Sequence, residues 1–396
     1  MGTDSFAIRA ASVFDGSTMS GPATVYVAGG KVAGIGGNGE RAAPGMDVVD
    51  LGPESCLLPG LVDCHVHLAF DASKDPVAAL RASDDAQVLV GMRVAARAAL
   101  HAGVTTVRDL GDRDYLAVTL AREVEADPMA GPQILAAGPP ITTPGGHCYF
   151  LGGEAAGPDS LRAQVRERHA RGCTVVKIML SGGTMTPGTT PPHESQYSLE
   201  DLRVVVDEAH RLGLPVAAHG HGTAAIVDAV SAGVDSIEHV SFMTPDAGEA
   251  NADAIAAVAA SGIFASLTLG IDRAAGAPEL PPEIATRAAA ILGAYRELAR
   301  RGAKVVLGTD AGTAPFKPHD VLPIAVAQLA ALGVSPVDAL AAATSRAADA
   351  CGVGRRKGRV RVGADADFLA VAGDPRLDLA ALRDVRAVFR AGIRVR

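Results

Sequence analysis

His65 and His67 close the run Cys56-Leu-Leu-Pro-Gly-Leu-Val-Asp-Cys-His-Val-His67. Residues i and i+2 of an extended strand point to one face, so both imidazoles can reach a single ion. Two aligned histidines make half a metal site, and the rest of the chain must supply the missing ligands. Candidates are Lys177 in Val175-Val-Lys-Ile-Met179, His219 in Val216-Ala-Ala-His-Gly-His-Gly222, His239 in Ser236-Ile-Glu-His-Val240 and Asp310 in Gly308-Thr-Asp-Ala-Gly312. A lysine in an apolar strand is costly if buried charged and unpaired. Lys177 therefore either reaches solvent at its strand end or is a neutral amine that has taken up carbon dioxide, an anionic carbamate able to bridge two metals. His219 and His239 have an alternative reading as hydrogen-bonded core histidines, and Asp310 as a turn cap.

These residues need elements that bring them together. Short apolar runs at 61–67, 104–108, 133–137, 174–179, 215–219, 236–239, 263–267 and 304–309 read as strands. Alanine-rich stretches of helical period lie between them, at 87–102, 161–171, 198–212, 224–232, 282–301 and 321–332. Glycine follows several of these, as expected of a left-handed helix end. Strand, helix and glycine repeated eight times predict an α/β chain folded as a (β/α)8 TIM barrel. In such a barrel the catalytic groups sit at the carboxyl ends of the strands, and every candidate above falls at such an end. Both chain ends instead alternate strand-like runs with turns. They predict a small β-sandwich-like domain from residues 1–57 plus 358–396, with the barrel at 58–357 inserted between.

Composition narrows the function. The chain has 396 residues, 48% of them hydrophobic, no tryptophan and a net charge of -8. That balance argues against nucleic acid or an anionic membrane as the main partner, leaving a small-molecule substrate; homo-oligomerisation stays open. The five cysteines are scattered without Cys-x-x-Cys spacing, so neither a disulfide framework nor a thiolate zinc site is expected. Cys64 reads as a small core residue facing away from His65. The opening residues carry an early acid and no long apolar stretch, and no run reaches a membrane span, so the expected compartment is the cytoplasm.

Pro59-Gly60 leading to His65-Val-His67, a strand lysine, two later strand histidines and Gly308-Thr-Asp310 resemble the amidohydrolase superfamily with a binuclear metal centre. Arg361-Val-Gly-Ala-Asp-Ala-Asp-Phe-Leu-Ala370 is similar to the returning β-domain segment of that superfamily. Val175-Val-Lys-Ile-Met-Leu-Ser-Gly-Gly183 and Gly145-Gly-His147 further resemble the prolidase-like and Xaa-dipeptidase-like branch, related to imidazolonepropionase. The resemblance implies that His65, His67, Lys177 and Asp310 hold one divalent ion, and carboxylated Lys177, His219 and His239 the second, with a hydroxide between them. Imidazole and carboxylate-like ligands suit zinc, although manganese, cobalt and iron are also accepted by such sites.

The implied reaction is hydrolysis of an amide, in a peptide or an N-acyl amino acid. Asp310 would take the proton of the attacking water and return it to the leaving amine. His147, after the third strand, would hydrogen-bond the substrate carbonyl. His221 is expected at the site two residues beyond His219; related dipeptidases often carry tyrosine there, and a protonated His221 would serve an anionic substrate. Tyr197 and His193 belong to a lid-like loop, 182–197, and are expected to reach substrate; Arg108 either does so or pairs with Asp109. His319 has two open readings, and His101, His169 and His210 read as surface residues. Alternatives are hydrolysis of a urea, carbamate or lactone, and a ring deaminase or imidazolone hydrolase. Members of that last kind usually lack the lysine and carry glutamate three residues after the fifth-strand histidine, where this chain has Gly222.

Overall fold

The computed structural model describes residues 5–37, 43–246, 250–274 and 280–396. Parts of the expected small domain, residues 1–4 and 38–42, lie outside them. Each of the eight predicted runs overlaps a strand, β5 and β6 running three and four residues past the predicted ends: β1 (Leu61–Val66), β2 (Val104–Asp109), β3 (Gln133–Ala136), β4 (Val176–Met179), β5 (Val216–Gly222), β6 (Ser236–Met243), β7 (Phe264–Leu267) and β8 (Lys304–Leu307). β1 to β3 form a sheet of three, and β4 to β8 a sheet of five, all parallel. Near-continuous apolar strands are what a parallel sheet covered on both faces requires.

Backbone hydrogen bonds cross both gaps between the two sheets. On one side Thr174 N–H donates to Ala136 O at 2.9 Å, and Ile141 N–H to Lys177 O at 2.8 Å. On the other, Asp310 N–H donates to His65 O at 2.7 Å and His67 N–H to Ala311 O at 3.0 Å. The second gap therefore places the histidine pair and Asp310 on directly bonded backbones.

Helices alternate with the strands, and their ends are set locally. Asp84 and Gln87 form a reciprocal capping box at the start of Asp85–His101, which satisfies amide groups that the first turn leaves free. Gly172 ends Pro158–Arg171 with φ 91°, a left-handed value that costs glycine nothing. The predicted helix at 282–301 is two pieces, Pro282–Ala285 and Ala288–Arg300. Leu116–Ala126 and Ala252–Ser261 are further helices, outside the predicted helical stretches. Among the described residues no helix is long and apolar enough to cross a membrane.

Two further sheets combine the chain ends. Ser5–Ala10, Ala23–Ala28, Lys31–Gly36 and Asp47–Asp50 make a sheet of four. Ser12–Phe14, Met19–Ser20 and Ser55–Pro59 join Phe368–Ala372, Val385–Arg390 and Ile393–Arg394 in a sheet of six. Their facing sides share an apolar core that includes Ile8, Val25, Leu57, Phe368 and Phe389. Ser55–Pro59 pairs antiparallel with Phe368–Ala372 and, one residue later, becomes β1.

Candidate metal centre

Of the eleven histidines in the chain, His65, His67, His147, His219, His221 and His239 form one buried group, carried on the strands or on the segments that follow them. Two subsets have the spacing of ion ligands. His65, His67 and Asp310 offer ligand atoms within 4.8 Å of one another, as do His219, His221 and His239. A ring contact joins the subsets, the centroids of His65 and His239 being 5.1 Å apart, and within the second subset those of His219 and His239 are 4.6 Å apart. His147 lies 4.9 Å from His219 by the same measure. The expected ligands are thus brought together, with His221 standing among them rather than beyond them.

Five of the six imidazoles have one nitrogen held by a hydrogen bond, and the sixth, His65, has one close to a carboxylate. His67 Nδ1 meets Gly111 O at 3.0 Å, His219 Nε2 meets Gly182 O at 3.0 Å, and His239 Nδ1 meets Thr268 Oγ1 at 3.1 Å. His221 Nδ1 meets Ser241 Oγ at 2.9 Å, and His147 Nδ1 meets Thr186 Oγ1 at 2.8 Å. His65 Nδ1 lies 3.1 Å from Glu238 Oε2. Fixing one nitrogen selects the tautomer and frees the other for an ion or a substrate.

Lys177, 1% exposed, is inside this group. Its Nζ has no hydrogen-bond partner among the described residues, which excludes the reading of a lysine reaching solvent. Burial pushes its ammonium down to about 8, against partial support from Glu238 and Asp310. Its charge bears in turn on His65, His147, His219, His221 and His239. Burial and that charge hold His65 near 4, and burial and neighbouring imidazoles hold His219 and His239 well below the ordinary value. Neutral imidazoles are the form that binds metal. Burial also brings His221 down to about 4, which favours a neutral ring over a cation that would serve an anionic substrate. His67 goes the other way: burial lowers it, but the hydrogen bond and charge of Asp310 raise it further. The Asp310 carboxyl, despite burial, is held well below the carboxylate range by His67 and His65.

The backbone is bent to make this arrangement. His239, Val240 and Phe242 have φ of 68°, 49° and 48°, and Asp310 has 59°. Side chains seldom adopt these values, each of which costs of order 1 kcal/mol or more. Along a regular strand Glu238 and His239 would face opposite sides; here both approach His65. Glycines supply the remaining room. A Cβ on Gly308 would sit 2.4 Å from His65 Cβ, and one on Gly183 2.3 Å from His147 Nε2.

Other expected residues lie elsewhere. Tyr197 is not brought to the site: it is packed in the core, with its hydroxyl donating to Ala155 O at 2.9 Å. Its ring meets enough apolar surface beneath the 182–197 loop to turn inward. His193 lies 3.6 Å from Glu194, and His319 meets Phe70 O at 3.0 Å. His101, His169 and His210 are exposed, as expected. Arg108 pairs with Glu238 at 2.8 Å rather than with Asp109, whose carboxylate accepts from the Leu68 and Gly111 amides. Cys64 is a buried core thiol facing Ala347 and Cys351.

A cavity of about 1180 Å³ adjoins the group, lined in part by Arg81, Tyr149, Met185, Thr186, Thr313 and Phe316. Thr186 touches His147, and the Thr313 hydroxyl donates to Asp310 O at 2.7 Å, so the cavity wall continues into the site.

The description that fits the chain is "Amidohydrolase family", matched over residues 56–395. The chain belongs to the amidohydrolase family. This amidohydrolase is 29% identical to ochratoxinase of Aspergillus niger over 364 residues, covering 84% of this chain and 73% of that one. It is 26% identical to imidazolonepropionase of Pseudomonas putida over 396 residues, covering 88% and 87%. A crystal structure of a Xaa-Pro dipeptidase with methionine bound in the active site superposes with a TM-score of 0.87 at 26% identity, covering 98% of this chain and 99% of that one. The prolidase-related and imidazolonepropionase-related branch suggested by the sequence motifs is the one these relatives represent. Amidohydrolases generally bind divalent metals, and the histidine and aspartate groups described above are of the kind that bind them.

Proposed function

We propose that this amidohydrolase is a binuclear metal-dependent enzyme that cleaves an amide bond in a peptide or an N-acyl amino acid. The observation that carries the reading is Lys177, a buried amine without a partner among the described residues, set among imidazoles whose second nitrogens are pinned. A structural lysine would need an acceptor; a carboxylated one needs cations. The donor set fits two divalent ions, with zinc the preferred metal: His65, His67 and Asp310 for one, His219 and His239 for the other, and N6-carboxylysine at 177 shared. Bound there, such ions would supply Lewis acidity and a water acidic enough to ionise near neutral pH. The eight strands form a closed (β/α)8 barrel in this reading, with the small β-domain at 1–57 plus 358–396.

The chain's own groups divide the work. Asp310 takes a proton from the attacking water through its carboxylate and passes it to the departing nitrogen. His147 offers Nε2 to the substrate carbonyl, its other nitrogen being held by Thr186. His221, neutral and beside His219 and His239, shapes the substrate end of the site. The cavity beside Thr186 and Thr313 has room for the acyl or side group of such a substrate.

The likeness to imidazolonepropionase favours a second reading, opening of a ring amide. Purified protein loaded with zinc and bicarbonate, assayed on dipeptides, N-acyl amino acids, a phenylurea, a carbamate, a lactone and an imidazolone, separates the readings. The leading one expects turnover of the acyclic amides and two ions per chain. Turnover of the imidazolone alone, with one ion, would replace it by the second.

A further inference from the structure

We propose that Glu238, gripped by Arg108, is a positioning residue that sets which nitrogen of His65 faces the metal; the inference rests on the metal-centre reading above. Buried polar atoms must find partners. The Glu238 side chain is fully buried and that of Arg108 nearly so. Glu238 Oε1 accepts from Arg108 Nη2 at 2.8 Å and from Ser236 Oγ at 2.7 Å. Its Oε2 lies 3.1 Å from His65 Nδ1, an ion-pair distance that falls outside hydrogen-bond geometry, and neither of these two atoms has a hydrogen-bond partner among the described residues. Each is therefore the partner left to the other.

The consequence for His65 is chemical. A carboxylate oxygen beside Arg108 only accepts, so Nδ1 carries the proton and Nε2 keeps its lone pair. That Nε2 lies 3.2 Å from His67 Nε2 and 3.6 Å from Asp310 Oδ1, where an ion would sit. The other pinned imidazoles rest on backbone carbonyls or hydroxyls; His65 alone among them is backed by an anion. A carboxylate in that place raises ligand basicity and fixes the ring. Arg108 ties the unit together, because its Nε also donates to Cys64 O at 2.7 Å, the carbonyl immediately before His65. One guanidinium thus holds both the backbone of β1 and the carboxylate behind its first ligand, a task suited to its rigid fork.

The full-length protein, loaded with zinc, tests this by competition with a chromophoric chelator that resolves the two ions, with melting temperature as the control for folding. Glu238→Ala is expected to weaken one ion by about 10- to 100-fold and leave the other unchanged. Glu238→Gln keeps the size of the side chain, but Arg108 and Ser236 claim its amide oxygen and leave its NH2 facing Nδ1, so it is expected to weaken the same ion at a near-wild-type melting temperature, and it carries the comparison if the alanine variant does not fold. Wild-type affinity for both ions in a folded variant overturns the proposal. Equal weakening of both ions by Ala and Gln, with a lowered melting temperature, overturns it in favour of a general packing role. If wild-type protein binds no ion, the metal-centre reading itself falls, an outcome distinct from these.

Discussion

Asp63 accepts both the backbone N–H and the hydroxyl of Thr309, at 2.9 and 2.7 Å, beside the gap where β1 meets the segment after β8. The same carboxylate accepts from the His65 amide at 3.2 Å. One buried acid therefore fixes the backbone beneath two proposed ligands, His65 and Asp310.

Thr309→Val removes one of these donors and leaves a buried oxygen unpaired, at a cost of about 1–3 kcal/mol. Burial already pushes Asp63 up to about 6, in spite of its hydrogen bonds. An acid whose folded value exceeds its unfolded one favours folding most when protonated, and that contribution fades as pH rises from about 4 through 6. Losing a donor to the anion enlarges the effect. Urea denaturation should show a larger deficit for Thr309→Val at pH 8 than at pH 5; an equal deficit would remove Asp63 ionisation from the account.

Asp310→Asn should retain most of its metal yet lose about 100- to 10,000-fold in kcat, the usual worth of a placed acid-base group. Metal analysis beside steady-state kinetics checks the pair of outcomes. Near-wild-type turnover would take Asp310 out of proton transfer.

Lys177 gives a pH prediction. With its ammonium brought down to about 8, the neutral amine that reacts with carbon dioxide grows as pH rises through 8. Reactivation of metal-stripped enzyme by zinc and bicarbonate should accordingly be faster at about pH 8.5 than at about pH 6.5, because only the neutral amine attacks carbon dioxide. Rates independent of bicarbonate would count against a carbamate.

Lys177→Met removes a charge that the metal-free protein buries without a partner. The stripped variant should be more stable than stripped wild type at pH 7, by about 1–3 kcal/mol, while losing activity. Calorimetry of the two proteins decides it.

Gly183→Ala tests His147 without touching it. The new Cβ would meet the ring at 2.3 Å, so His147 must move from Thr186. Loss of about 100-fold in kcat with unchanged metal content is expected if Nε2 serves the substrate oxygen. A KM change alone would assign His147 to ground-state binding.

Much of this arrangement was legible in the residue order. The strands of the inner sheets are short apolar runs, and they or the residues just after them carry His65, His67, Lys177, His219, His239 and Asp310, so local pattern was enough to pick these residues out. Glu238 was not legible, since its meaning depends on Arg108, 130 positions away, and on left-handed backbone at His239 that lets neighbours converge. Nothing in an Ile-Glu-His triplet signals that turn. Tyr197 misled for the opposite reason: a polar, glycine-rich loop suggests exposure, whereas the ring finds the core and its hydroxyl a carbonyl.

The strand that delivers His65 and His67 continues from Ser55–Pro59, which pairs with Phe368–Ala372. A growing chain that has already emerged as far as Asp310 holds every proposed ligand but not that partner strand. The strand that braces the segment leading to the first ligands thus comes later in the chain than all the ligands themselves, so their seating draws on a stretch that emerges after Asp310.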